Sequence, residues 1–253
     1  MAFDEQAAID YFWQARARGD YFPADWYDRL SLDQAYRIQL GIVARRCRAG
    51  EKQIGWKVGL TAPAIQQQFG FHEPVFGCIL DQTRSGHRFG ANELIKPGFE
   101  SELCFKLKEA LSGEVSLDQV RAAVDVCYPA LEIIETRGDL VKQIALAMAD
   151  NAQQKTIVLG APVALSPALQ LEKVEAKVTI NGKTVETGFG TAVLGNPLNS
   201  IAWLARKLGD YGRRLQAGDV IMTGSFTRQY PLSPGDQART DFSGIGAVEV
   251  GMA

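Results

Sequence analysis

The chain has 253 residues, 46% of them hydrophobic and 22% charged, with a formal net charge of −2. This is ordinary globular composition, long enough to bury a core, and it argues against a nucleic-acid or acidic-membrane partner because there is no basic tail and no long run of one sign. No apolar run approaches the ~20 residues of a bilayer-spanning helix.

The first twenty residues, MAFDEQAAIDYFWQARARGD, hold acids early and lack the basic and apolar blocks of a secretory signal. Cys47, Cys78, Cys104 and Cys127 stand singly, with no CxxC pair. Small core residues in a reducing cytoplasm account for them most simply.

Residues 4–18 are expected to form a helix, followed by an aromatic-rich connector over 20–30. Ser31 opens a second helix through the capping box SLDQ, with Leu32, Ala35, Ile38, Ile42 and Val43 as its apolar stripe and Gly50 at its end. IGWKVGLT, residues 54–61, is a short strand broken by two glycines. Lys57 sits among its apolar residues, either facing solvent or held in a site opposite a carboxylate. Thr61 then caps a short helix over 62–69. Asp81 follows the apolar run Cys78-Ile79-Leu80, as a turn former or as a proton-transfer group at a strand end. His72 and His87 are the only histidines, too few for a zinc site, and are expected at the surface.

PGFESELCFKL, residues 97–107, carries Glu100 and Glu102 two apart. On a strand that spacing puts both carboxylates on one side, with Phe99, Ser101, Leu103, Phe105 and Leu107 on the other. The glutamates are either the wet face of an amphipathic strand or half of a site for a hard divalent cation such as Mg²⁺. A second SLDQ cap at Ser116 starts a short helix. YPALEIIETR then embeds Glu132 among Leu131, Ile133 and Ile134. A carboxylate in such a strand is costly unless paired, protonated or metal-bound. If Glu132 faces Glu100 and Glu102, three like charges share one small volume, which calls for a cation or raised pKa values. One explanation then serves two separate oddities.

A helix is expected over 139–152, with Asp150 and Asn151 capping it or hydrogen-bonding toward a site. The second half is β-rich. VEAKVTI and KTVETG flank Asn181-Gly182, a type I′ hairpin signal. GFGTAVLGNPL lacks both GxGxxG and GxxxxGK[ST] spacing, so no nucleotide site is read there. Asn196-Pro197 starts a helix. AGDVIMTGSFT is a strand entering a glycine turn, where N–H groups and the Ser225 and Thr227 hydroxyls form a simple turn or receive a carboxylate.

GWKVGLT, the ExE of FESEL, PALEII, ADNA, GTAVLGNPLNSIAWLARKL and GDVIMTGSFT occur in this order. Together they resemble the hydratase and decarboxylase branch of the fumarylacetoacetate hydrolase superfamily, over about residues 31–253. The resemblance implies an α+β fold, a mixed β-roll with an N-terminal helical region. It implies a helical region over 1–70 and a β-rich catalytic domain over 71–253, or one continuous domain. It implies Glu100, Glu102 and Glu132 as ligands of Mg²⁺ or Mn²⁺, Lys57 as the active-site lysine and Asp81 as the active-site acid. It further implies a homo-oligomer acting on a small 2-oxo or 2-hydroxydienoic acid, with a pathway enzyme as a second partner. The expected reaction is hydration of a 2-hydroxy-2,4-dienoate. The alternatives are decarboxylation of a 4-oxalocrotonate-type acid, C–C hydrolysis, and a non-catalytic subunit of a hydratase–decarboxylase complex. Gly98 and Gln153 depart from the basic and small hydroxyl residues of many relatives and bear on the substrate tail. Residues 71–76, 84–89 and 228–230 are expected to read that tail, with Arg228 at the surface or against a second carboxylate.

Overall fold

The computed structural model describes residues 3–62, 66–67 and 72–253. Most of the expected helix 62–69 lies outside the described residues. Asp4 caps α1 (Glu5–Ala17), its carboxylate accepting the Ala7 N–H at 3.0 Å. The Ser31–Gln34 capping box starts α2 (Leu32–Arg48), and the same box at Ser116–Gln119 starts α3 (Leu117–Ala123). Asn196 caps α5 (Pro197–Lys207), with proline at its first position. Between them, α4 covers only Ile144–Ala149 of the helix expected over 139–152. Asn151, Ala152 and Gln153 follow with φ of 56, 51 and 59°, a left-handed run that cannot continue an α-helix. Side-chain partners elsewhere in the fold override the helical periodicity there.

The strands are β1 (Gly55–Gly59), β2 (Val75–Ile79), β3 (Gln82–Arg84), β4 (His87–Phe89), β5 (Pro97–Leu107), β6 (Val124–Glu135), β7 (Gln154–Leu159), β8 (Val163–Ala164), β9 (Glu175–Ile180), β10 (Lys183–Phe189), β11 (Val220–Ser225), β12 (Tyr230–Pro231), β13 (Gln237–Phe242) and β14 (Gly246–Met252). Nine of them make a mixed sheet ordered β2-β1-β11-β5-β6-β7-β3, with β12 on β5 and β8 on β6. The other five make a second sheet, β10-β9-β13-β14-β4. Helices and two mixed sheets give the α+β fold expected from the sequence. β1 precedes residue 70 yet lies hydrogen-bonded between β2 and β11 inside the larger sheet. The β9–β10 hairpin turns at Asn181 and Gly182, both at positive φ.

The larger sheet curls. β3 continues the chain from β2 at one edge and pairs in parallel with β7 at the other. Ile79 of β2 and Ile157 of β7 consequently meet in one small apolar cluster with Cys104, Ala130, Val220 and Met222. That cluster fills the inside of the curl. The outside carries the main core, including Phe99, Leu103, Phe105 and Leu107 of β5. Ser101, in the same outward row, bonds the Thr240 hydroxyl at 2.8 Å and ties the two sheets together. Strand alternation therefore sends Glu100 and Glu102 inward, above Cys104.

α2 secures β2 from outside. Gln39 donates to the carbonyls of Phe76 at 3.2 Å and Met148 at 2.8 Å, and Tyr36 stacks on Phe76 with centroids 4.1 Å apart. On β1, Gly55 faces Val220 so closely that an added Cβ would overlap the Val220 carbonyl. Gly55→Ala is therefore expected to lower stability by about 1–3 kcal/mol in urea unfolding, as overpacking against backbone does. Gly209→Ala, with open space at its Cβ position, is the control and is expected to be near neutral.

Candidate metal and substrate site

The β5–β6 register places Glu100 directly opposite Glu132 and Glu102 opposite Ala130. Directly opposed side chains have Cβ atoms ~4.5–5.5 Å apart, where like charges repel. One carboxylate oxygen from each of Glu100, Glu102 and Glu132 lies within 4.8 Å of the other two. β1 brings Lys57 to the same volume, with Nζ 3.3 Å from Glu132 Oε2. The lysine is buried, 4% exposed, so the snorkelling geometry is not adopted.

A bulge between Met222 and Ser225 in the β11–β5 pairing turns the Gly224 N–H onto Glu102 Oε2 at 2.8 Å. Gly224 has φ of +114° and an added Cβ would overlap Thr61, so this position requires glycine. The turn amide thus receives a carboxylate, that of Glu102, while Ser225 and Thr227 line the neighbouring cavity.

Glu102 and Glu132 are fully buried. Glu102 Oε1 and Glu132 Oε1 have no hydrogen-bond partner, and Glu132 Oε2 meets only the Lys57 ammonium at 3.3 Å. Unsatisfied buried carboxylate oxygens are costly and rare in a native fold. The donor set is all oxygen, and three carboxylates against one ammonium leave two negative charges. That combination fits a hard divalent cation, which such orphaned oxygens would coordinate.

Burial pushes all three carboxyl pKa values up. Glu100 is raised by burial, with Lys57 opposing. Glu102 is raised well above the usual range by burial and then by repulsion from Glu132 and Glu100, with the Gly224 bond opposing. Glu132 is pushed up to about 7, burial again outweighing Lys57. Burial favours loss of the Lys57 proton, but Glu132, Glu100 and Glu102 together outweigh it, and the lysine is held above its ordinary value.

A cavity of about 780 Å³ opens over this cluster, with Lys57 and Glu100 among its lining residues. Val75, at the Gly59 end of β2, lines it as well. Asp81 does not join the site: it is exposed and absent from the cavity lining. It lies two residues beyond the other end of β2, ~20 Å of extended chain from Val75. An apolar run announces a strand end, but it does not say which end faces the site. His72 is exposed and His87 is half-buried in β4 against Phe89, away from the cavity. Of the segments expected to read a substrate tail, Val75, Arg228 and Gln229 line the cavity and residues 84–89 do not, while 71 lies outside the described residues. Arg228 is largely exposed, stacked on Tyr230 at 4.8 Å.

Sequence reasoning passed over the segment 136–141, which forms one wall of the cavity. It also passed over a buried ionic network behind that wall. Arg137, with its side chain 1% exposed, donates to Glu135 at 2.7 Å and to Asp150 at 2.5 Å. The signal was the opposed charges of Glu135 and Arg137 at the end of an apolar strand. Asn151, expected as a cap, instead grips β2: its Oδ1 accepts the Cys78 N–H at 2.7 Å and its Nδ2 donates to the Cys78 carbonyl at 2.8 Å.

Residues 90–252 match the fumarylacetoacetate hydrolase C-terminal family model, and the chain belongs to that family. It is 36% identical over 228 residues to the 2-keto-4-pentenoate hydratase of Paraburkholderia xenovorans strain LB400, covering 88% of this chain and 85% of that protein. It is 34% identical over 226 residues to a 4-oxalocrotonate decarboxylase of Pseudomonas sp. strain CF600, covering 88% and 86%. Its fold matches the 4-oxalocrotonate decarboxylase of Pseudomonas putida G7, solved in complex with magnesium and adipate, at a TM-score of 0.90 and 28% identity, over 100% of this chain and 99% of that one. No described helix is long and apolar enough to cross a membrane.

The raised Glu132 pKa gives a pH dependence with a definite sign. Its ordinary value is 4.5 and its folded value about 7, so between these the folded state binds more protons than the unfolded state. Stability of the metal-free protein should therefore fall as pH rises through that window. Urea unfolding at pH 5 and pH 8 is expected to show the fall in the wild type and a smaller one in Glu132→Gln.

Proposed function

We propose that this chain is a divalent-metal-dependent hydratase that adds water to a 2-hydroxy-2,4-dienoate. The reference reaction converts 2-hydroxypenta-2,4-dienoate to 4-hydroxy-2-oxopentanoate. One observation carries the reading: three converging carboxylates with orphaned oxygens at the base of a cavity, with the Lys57 nitrogen 3.3 Å from one of them. Identity to a named hydratase over most of the chain supports the same reading.

Glu100, Glu102 and Glu132 would hold Mg²⁺ or Mn²⁺. When bound, the cation supplies Lewis-acid polarisation and orientation to the 1-carboxylate and 2-oxygen of the acid. Lys57 keeps its ammonium at the cavity base, where it balances the substrate's negative charge and stabilises the enolate that develops at the 2-oxygen. The dienol loses its 2-hydroxyl proton and gains one at C5. The resulting enone then takes hydroxide from water at C4 and a proton at C3. Lys57 acts on these proton movements through the charge that it keeps. Asp81, exposed beyond the far end of β2, takes no part. The four cysteines are free thiols, in keeping with a reducing cytoplasm.

A second reading, decarboxylation of a 4-oxalocrotonate-type acid, is favoured by the solved relative that matches the whole chain. The same head-group chemistry serves it, because loss of CO₂ from a vinylogous β-keto acid also leaves an enolate.

A ¹H NMR time course of the protein with Mg²⁺ separates the two. Given 2-hydroxypenta-2,4-dienoate, the hydratase should produce the methyl doublet and carbinol proton of 4-hydroxy-2-oxopentanoate. CO₂ loss from 4-oxalocrotonate without hydration would favour the second reading, and no change in either substrate would sink both. Lys57→Met is expected to lower kcat ~10²–10⁴-fold. Glu132→Gln is expected to abolish turnover together with the metal's thermal stabilisation, which should be ~2.7 kcal/mol at 100 times Kd in the wild type.

A further inference from the structure

Residues 136–143, of which 136–141 wall the cavity, join β6 to α4 and are braced from outside by the N-terminal segment. Arg16 of α1 donates to Asp150 at 3.0 Å, on the carboxylate that Arg137 also holds. The Tyr21 ring lies 5.2 Å from the Arg16 guanidinium and 5.1 Å from that of Arg137. Phe22 covers Gly138 so closely that an added Cβ would overlap its ring. Asp28 and Gln143 bond reciprocally: the Asp28 N–H donates to Gln143 Oε1 at 3.1 Å, and Gln143 Nε2 donates to Asp28 Oδ1 at 3.0 Å. From inside, Gln153 donates to the Gly138 carbonyl at 3.0 Å. Gln153 ends the left-handed run 151–153, a conformation that persists only where surrounding contacts over-determine it.

The wall has a definite place relative to the carboxylates. Ile134 and Thr136, two and four residues beyond Glu132, line the cavity. The segment that follows reaches the solvent side of the cavity, since Val141 in it stands largely exposed. There it presents Leu140 and Val141, and Val141 is 63% exposed although apolar. The N-terminal residues of this bracing, Arg16, Tyr21, Phe22 and Asp28, lie outside the 90–252 span of the family match.

We propose that the N-terminal segment, through Arg16, Phe22 and Asp28, is a positioning element that selects the substrate tail. It holds Leu140 and Val141 where an uncharged alkyl group on C5 of the dienoate packs. This inference rests on the proposed hydratase reading.

The test uses the full chain with Mg²⁺ and two substrates, 2-hydroxypenta-2,4-dienoate and its C5-methyl homologue, 2-hydroxyhexa-2,4-dienoate. Asp28→Ala and Gly138→Ala are each expected to shift the ratio of the two KM values roughly tenfold, the scale of one misplaced methylene contact. For Asp28→Ala, kcat on the five-carbon substrate should stay within about twofold of wild type, as expected of a residue acting only through the tail wall. Asp28→Asn, which keeps the oxygen that accepts from Gln143, should restore the wild-type ratio. Equal losses on both substrates with a lowered Tm, or an unchanged ratio in both variants, would overturn the proposal. If the wild type turns over neither substrate, the hydratase reading fails, and calorimetric titration with 2-oxopentanoate and 2-oxohexanoate still reads the wall. A shifted affinity ratio then supports the inference, while an unshifted one, or no binding of either acid, overturns it.

Discussion

Glu100 and Glu132 oppose each other across adjacent strands on the inside of a curled sheet, and the surrounding structure answers that repulsion. Lys57 supplies one positive charge at 3.3 Å, and a bulged glycine turn supplies one amide to Glu102. Neither is enough, since Glu102 Oε1 and Glu132 Oε1 stay buried without a partner and Glu132 Oε2 has only the lysine. Buried ionic clusters rarely add net stability, because desolvation rivals their mutual attraction. A cluster kept in this state is a liability for folding and makes sense as a receptor for positive charge.

The rest of the chain keeps this arrangement rigid. Asn151 fixes the middle of β2 beside β1, and Gln39 fixes β2 to α2 and α4. Glycine stands at Gly55 and Gly224 where any side chain would strike backbone or Thr61. The left-handed run 151–153 concentrates strain beside the cavity, and its side chains reach fixed partners in β2 and in the cavity wall.

The site is assembled from two parts of the chain. The three glutamates fall within residues 90–252, the span of the family match, whereas Lys57 and the bracing of the wall come from before it. Hydratase and decarboxylase relatives both align with most of this chain. The names of those relatives cover two reactions, so likeness over the whole chain does not by itself choose between them.

Much of this was legible in the residues themselves. The period-two spacing of Glu100 and Glu102 put both on one face of a strand, and the isolation of Glu132 in an apolar strand demanded a partner or a proton for it, because strand geometry and desolvation are local constraints. Both SLDQ boxes, the Asn181-Gly182 turn and the Asn196-Pro197 helix start were local too, and the structure has each. Asp81 and the helix over 139–152 went differently. Adjacency to a strand does not say which end meets the cavity, and helical periodicity carries no information about Asn151 gripping a strand 73 residues away in sequence. Residue type and spacing determined which groups had to be satisfied. Long-range pairing, the sheet closing on itself through β3 and β7, decided where they meet and which wall faces them, since contacts between distant segments leave no local pattern to read.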